Sequence, residues 1–159
     1  MDAIKLLKDQ HREVAALFDT FEESIDDDDK KETFFAIADA LAIHASIEER
    51  FFYPAVNAGD AEELVEEAYD EHLEIKKLIL DGMKLLHDPG FDAVVAALRG
   101  AVELHVEEEE DELFPRARDM LDREVMNALG ETMEAEAVLL ESEGPPRDRV
   151  RLESEQPAV

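Results

Sequence analysis

Four of the five histidines in this chain fall into two pairs with one spacing. His11 and His44 are 33 residues apart, and so are His72 and His105. His44 and His105 each carry a glutamate four residues on, Glu48 and Glu109, and a proline ten residues on, Pro54 and Pro115. The whole set recurs at a shift of 61 residues. Imidazole nitrogen and carboxylate oxygen are the donors of non-haem iron, manganese and zinc sites. Four of one and two of the other, in matched register, are the ligands expected for a pair of metal ions held by a duplicated helical hairpin. Two ions sharing two bridging carboxylates each receive two oxygens and two imidazoles. A bridging oxide or hydroxide adds one donor more, and an octahedral ion then keeps a position open for a small molecule, which is where metal chemistry is done.

These residues need helices to aim them. Apolar residues recur at steps of three and four, and the candidate ligands lie on the same stripes. One stripe reads Ile4, Leu7, His11, Val14, Phe18, Phe21, Ile25; a second Phe34, Ile37, Leu41, His44, Glu48, Phe51. A third reads Val65, Ala68, His72, Ile75, Ile79; a fourth Phe91, Val95, Leu98, Val102, His105, Glu109, Leu113. This is the period of amphipathic helices, and no segment alternates as a strand would. The acidic run Asp26–Asp29, the stretch Asn57-Ala58-Gly59-Asp60 and the stretch His87-Asp88-Pro89-Gly90 read as the three links. Links this short make antiparallel neighbours. The expected fold is therefore all-α, an up-down-up-down four-helix bundle. Pro54 and Pro115 should kink or end the second and fourth helices.

A further helix is expected from about Asp122 to Glu141, giving one unit over residues 1–142. Residues 143–159 are polar, include Pro145-Pro146, and read as a disordered tail. The duplication reaches the core positions: a shift of 61 pairs Ile4 with Val65, Val14 with Ile75, Leu41 with Val102 and Phe52 with Leu113. An acid on a core stripe needs a compensating cation, and Glu48 and Glu109 occupy such positions. A bundle with merely structural polar residues would leave four inward imidazoles unexplained. His87 has no counterpart under the shift and reads as a helix-end residue.

Composition narrows the function. The 159 residues contain no cysteine, which excludes disulfides, thiolate metal sites and cysteine nucleophiles. The formal charge is −27, from 43 acidic against 16 basic residues. That surface repels phosphate backbones and anionic lipid, so neither nucleic acid nor membrane is an expected partner. The start at Met1-Asp2 shows no leader, and cytoplasmic residence is expected.

The pattern His, His-x-x-x-Glu, His, His-x-x-x-Glu resembles the hemerythrin-like, or HHE cation-binding, domain family. Asp9-Gln10-His11, His44 through Pro54, Glu71-His72 and His105 through Pro115 carry the resemblance, which covers residues 1–142. It implies a four-helix bundle around two iron ions with an oxo or hydroxo bridge; zinc or manganese would accept the same ligands. His11 and His44 would hold one iron, His72 and His105 the other, with Glu48 and Glu109 between them. It further implies a small ligand, namely dioxygen, nitric oxide or hydrogen peroxide. The expected function is reaction with that ligand, as in a catalase-like activity; the alternative is a non-catalytic iron-binding or gas-sensing module. A ferritin-like ferroxidase ranks low, because that class uses Glu-x-x-His pairs. Oxygen-carrying hemerythrins add a fifth histidine one turn after the third. Here that position is Lys76, read as a surface residue, and its first-half equivalent is Ala15. Four histidines in symmetric register, rather than five, would leave both irons open and favour redox chemistry over reversible oxygen storage. Tyr53 and Tyr69 read as packing residues, and Glu49 with Glu110 as candidate supports of the ligands.

Overall fold

The computed structural model describes the backbone of residues 1–155 and the side chains through Arg151. Among the described residues the fold is helical throughout. Helix α1 runs Ala3–Glu23 and is capped by Asp2, whose carboxylate accepts from the backbone N–H of Lys5 at 2.8 Å. Its buried face is Ile4, Leu7, His11, Val14, Phe18 and Phe21, the stripe expected, ending before Ile25. That residue lies in the turn after α1 and is 93% exposed.

Helix α2 runs Asp27–Ile47 with Asp26 as its cap. The acidic run is thus the first turn of a helix rather than a loop, because carboxylates at a helix N-terminus face the positive end of its dipole. Helices α3 (Tyr53–Val56) and α4 (Glu62–Lys84) complete the crossing to the second hairpin, with Gly59 at φ 54° turning the link. Helix α5 spans Phe91–Glu108 and α6 spans Phe114–Met120. Helix α1 packs along α2 and α4 along α5, forming the bundle.

The expected kinks take one form in both halves. A π turn, Glu48–Phe52, joins α2 to α3, and another, Glu109–Leu113, joins α5 to α6. Pro54 and Pro115 cannot donate to the carbonyl four residues back. The chain widens instead, and the N–H of Tyr53 bonds the carbonyl of Glu48, as that of Phe114 bonds the carbonyl of Glu109. Each π turn begins at a candidate ligand. Such turns recur at functional sites because they redirect side chains without ending the helix.

Helix α7 (Arg123–Ser142) is the expected additional helix, capped by Asp122, and it packs against α1 and α2. Gly130 permits this approach: a side chain there would strike the backbone of Met1, Asp2 and Ala3. Residues 143–155, expected as disordered tail, are instead folded onto the bundle. The guanidinium of Arg147 donates to Asp39 at 2.8 Å, Val150 is fully buried, and α8 (Asp148–Glu155) lies against α4. The turn Gly144-Pro145-Pro146 that resembled a tail is a bend bringing α8 back. Residues 156–159 lie outside the described part. No helix among the described residues is long and apolar enough to cross a membrane.

Two apolar clusters fill the interior. One gathers Ile4, Leu7, Ile47, Phe52, Val65 and Leu113, the other Val14, Phe18, Phe34, Ile37, Ile79 and Leu98. The histidines and their glutamates form a polar layer between them.

Candidate metal centre

All six predicted donors are buried in one layer. His11, His44, His72 and His105 are 3–7% exposed, Glu48 is fully buried and Glu109 nearly so. The histidines stand as two pairs, with ring centroids 4.8 Å apart for His11–His44 and 4.7 Å for His72–His105. Two sets of donor atoms lie within 4.8 Å of one another: His11, His44, Glu48 and Glu109 in one, Glu48, His72 and His105 in the other. Glu48 belongs to both.

Each imidazole is fixed from outside through Nδ1. His11 meets Glu110 Oε2, His44 meets Gln10 Oε1, His72 meets Glu49 Oε2 and His105 meets Glu71 Oε1, all at 2.7 Å. These partners are acceptors, so Nδ1 carries the hydrogen in every case and donates it. A neutral ring then presents a bare lone pair at Nε2, and all four Nε2 atoms point inward. They face one another and the carboxylates: His72 Nε2 lies 3.1 Å from His105 Nε2 and 3.0 Å from Glu48 Oε1, and His11 Nε2 lies 3.1 Å from Glu109 Oε1.

Lone pairs so close to carboxylates repel unless protons or cations lie between them. The titration behaviour follows from this. Burial alone would lower His11, but the hydrogen bond and charge of Glu109 outweigh it and raise its pKa. His72 rises in the same way, against burial, through Glu48 and Glu49. His105 is carried well above the usual imidazole range, against burial, by Glu109 and Glu48. His44 is pushed down to about 4 by burial. Burial and the charge of Glu48 push Glu109 up to about 7. Burial would raise Glu48 too, but the His44 charge and its hydrogen bonds hold it well below the ordinary range. Even so, His44 Nε2 and Glu48 Oε2 remain buried with no hydrogen-bond partner. The first lies 3.0 Å from Glu48 Oε1 without forming a hydrogen bond to it. Two orphaned donor atoms on residues of one buried donor cluster fit metal ions, which replace those protons.

Several participants were not evident from sequence. The hydroxyl of Tyr53, expected only to pack, lies 2.6 Å from Glu109 Oε2 and 3.1 Å from both Glu48 Oε1 and His72 Nε2. Burial and the two carboxylates raise its pKa well above the usual phenol value. Tyr69 packs edge-on to Tyr53 and donates to the carbonyl of Glu49 at 3.2 Å. Gln10 and Glu71 correspond under the 61-residue shift, and that was the available signal for their common role. Lys76, expected at the surface, is buried and donates to Glu49 at 2.9 Å. His87 is exposed and far from this layer in character, as expected.

Beside the imidazoles lies a cavity of about 20 Å³, walled mainly by Val14, Leu41, Ile75, Ile79, Val102 and Val150. Such a space holds about one water-sized molecule.

The chain matches the family model described as the hemerythrin HHE cation binding domain over residues 2–117. A Nostoc protein named DNA nickase is 33% identical over 126 residues, covering 78% of this chain and 36% of that protein. The chain thus spans about a third of that relative's length. The crystal structure of a hemerythrin HHE cation binding domain-containing protein from Mycobacterium kansasii is similar in fold, with TM-score 0.82 and 23% identity. The likeness covers 94% of this chain and 99% of that one.

Proposed function

Because the chain belongs to the hemerythrin HHE cation-binding domain family, we propose that its buried layer holds two iron ions and reacts with a small ligand, either a diatomic gas or a peroxide. The observation that carries the reading is the inward set of four Nε2 atoms and two carboxylates, with His44 Nε2 and Glu48 Oε2 orphaned among them. His11 and His44 with Glu48 and Glu109 would hold one ion, and His72 and His105 with Glu48 the other. A nitrogen and oxygen donor set without thiolate suits iron, with zinc or manganese as weaker candidates. Such a pair, when bound, supplies electrons and open coordination positions to a ligand.

The protein's own residues do the rest. Gln10, Glu49, Glu71 and Glu110 hold the rings in one tautomer and orientation, which raises ligand basicity and fixes geometry. The hydroxyl of Tyr53 keeps a hydrogen bond on Glu109 beside the site. The small cavity beside the imidazoles, with mostly apolar walls, has room for about one water-sized molecule. DNA cleavage, the activity in the Nostoc relative's name, fits poorly with a net charge of −27, which repels a phosphate backbone.

Metal analysis with the visible spectrum of the purified chain is the first test, followed by oxygen release on adding peroxide. The expected result is two irons per chain and peroxide-dependent oxygen release that is lost in His44→Ala and Glu109→Ala. Iron-loaded protein that leaves peroxide untouched, but changes its spectrum reversibly with oxygen or nitric oxide, would replace the catalytic reading with a sensing one. A purified chain without metal, whose melting temperature ignores added iron, would sink both.

A further inference from the structure

Val150 is fully buried, although Asp148, Arg149 and Arg151 around it are exposed or half-buried. It forms part of the wall of the small cavity beside the imidazoles. Among the described residues, the rest of that wall comes from α1, α2, α4 and α5, and Val150 alone comes from outside the four bundle helices. The segment that carries it bridges two of them. Arg147 donates to Asp39 of α2 through its backbone N–H at 2.9 Å and its guanidinium at 2.8 Å, and the guanidinium carbon lies 4.4 Å from the centre of the Phe35 ring. Just beyond, α8 lies against α4. Val150 therefore enters at the seam between α2 and α4, where Leu41, Ala42, Ile75 and Ile79 also line the cavity.

The duplication shows what this seam lacks. The seam between α1 and α5 is latched by its own helices, with Arg99 reaching Asp19 at 2.8 Å and Glu22 at 2.9 Å. The 61-residue shift turns these three into Ala38, Leu80 and Met83, which carry no charge. The seam between α2 and α4 has no such latch at the matching positions, and residues 146–150 close it from outside.

The hold is light. Among the side chains described after Pro146, Val150 is the only apolar one. The ion pair of Arg147 with Asp39 is about a quarter exposed on both sides, where water and salt weaken it. A bundle helix such as α1 is anchored by a whole buried face. Segments with few buried apolar contacts open locally while the core stays folded.

Resting on the metal-centre reading above, we propose that α8 and the turn before it form a lid on the ligand cavity, and that small molecules reach the metal centre through the seam between α2 and α4 when Val150 withdraws. A lid of this kind sets how fast a ligand enters and leaves, and not how tightly it is held inside.

The test compares the iron-loaded full chain with Val150→Ser and Arg147→Gln, after iron content is measured. Nitric oxide binding and release are followed by stopped-flow visible absorption, and amide exchange of α8 by mass spectrometry on the metal-free chains. In Val150→Ser, association and dissociation should both quicken by about tenfold or more, with affinity kept within about twofold. The α8 amides should exchange faster by a similar factor. Arg147→Gln should move the same quantities in the same direction by a smaller factor. Nitric oxide kinetics unchanged in Val150→Ser, or α8 exchange unchanged, would overturn the proposal. A lowered affinity or lost iron in Val150→Ser would make Val150 a support of the centre, and overturn it too. A wild-type chain that binds no iron, or whose iron leaves nitric oxide unbound, is seen before any variant is compared and overturns the metal-centre reading itself.

Discussion

The hairpin α1–α2 and the hairpin α4–α5 carry the same donors at the same spacing, yet the two halves differ just outside them. Gln10 stands where the second half has Glu71, Ala15 where it has Lys76, and Tyr53 where it has Phe114. The inner atoms have one task, to converge on a point, and nothing but His and Glu performs it at these positions. The outer positions need only an acceptor or an aromatic ring, so they are free to diverge.

The halves are also interlocked. Gln10 and Glu71 each hold the second histidine of their own hairpin, His44 and His105. The π turns and the residues that follow them reach across instead. Glu49 and Tyr53 of the first half meet His72, while Glu110 and Phe114 of the second meet His11. Tyr53 contributes a hydroxyl to the centre, whereas Phe114 only stacks on its histidine, at 5.8 Å and 6°. Neither hairpin can assemble its own half-site, which is why the geometry requires the duplicated pair.

The strongest test of this near-symmetry compares the two glutamates. By sequence they are equivalent, but Glu48 joins both donor sets, with Oε1 3.0 Å from His72 Nε2 and 3.6 Å from His105 Nε2, while Glu109 joins the first set and approaches the second through His105 Nε2 at 3.4 Å. Glu48→Gln should therefore abolish binding of both ions, and Glu109→Gln should leave one at His72 and His105. Metal-to-protein ratios by plasma mass spectrometry decide it; equal losses in the two variants would restore full equivalence.

The outer residues should have smaller effects. Removing a group that orients a ligand imidazole lowers metal affinity by about 10–100-fold. Gln10→Ala and Glu71→Ala should each fall in that range in a competition titration against a chelator. Glu71→Gln should recover much of the loss, because an amide does the same work at His44. If Glu71→Gln is as weak as Glu71→Ala, charge rather than orientation matters at His105, and the halves differ more than their distances show.

The fold and the six inner donors were legible because both obey periods. The stripes repeat at helical steps, and the ligands repeat at 61 residues. The outer participants lie off the apolar stripes, and the 61-residue shift alone marks Gln10 and Glu71. Gln10 and Glu71 look like any polar helix residue, and Lys76 is of a type that is seldom buried. The Tyr53 ring is core, in keeping with its reading as a packing residue, and only its hydroxyl enters the site. Helix α8 was hidden because its sequence holds just Val150 and Leu152 as apolar residues in a polar stretch, too few to show a helical period.

One difference between the halves was visible all along in residues 41–47, Leu-Ala-Ile-His-Ala-Ser-Ile, every one of which is buried. A helix that is apolar all round is covered on more than one side. Helix α7 provides the second cover, packing on α1 and α2, and among the described residues no helix of comparable length lies on the outer side of α5. The shift makes the consequence plain: Ile43 is 8% exposed while Leu104 is 53%, and Ile47 is fully buried where Glu108 is only half-buried. The smallest expected effect follows. Leu104→Ala should change unfolding stability by no more than about 0.5 kcal/mol, whereas Ile43→Ala should show the loss of a core truncation. Urea unfolding of the two variants measures both. A Leu104→Ala variant as destabilised as Ile43→Ala would mean that α5 has a cover of its own, and that the two hairpins are packed alike after all.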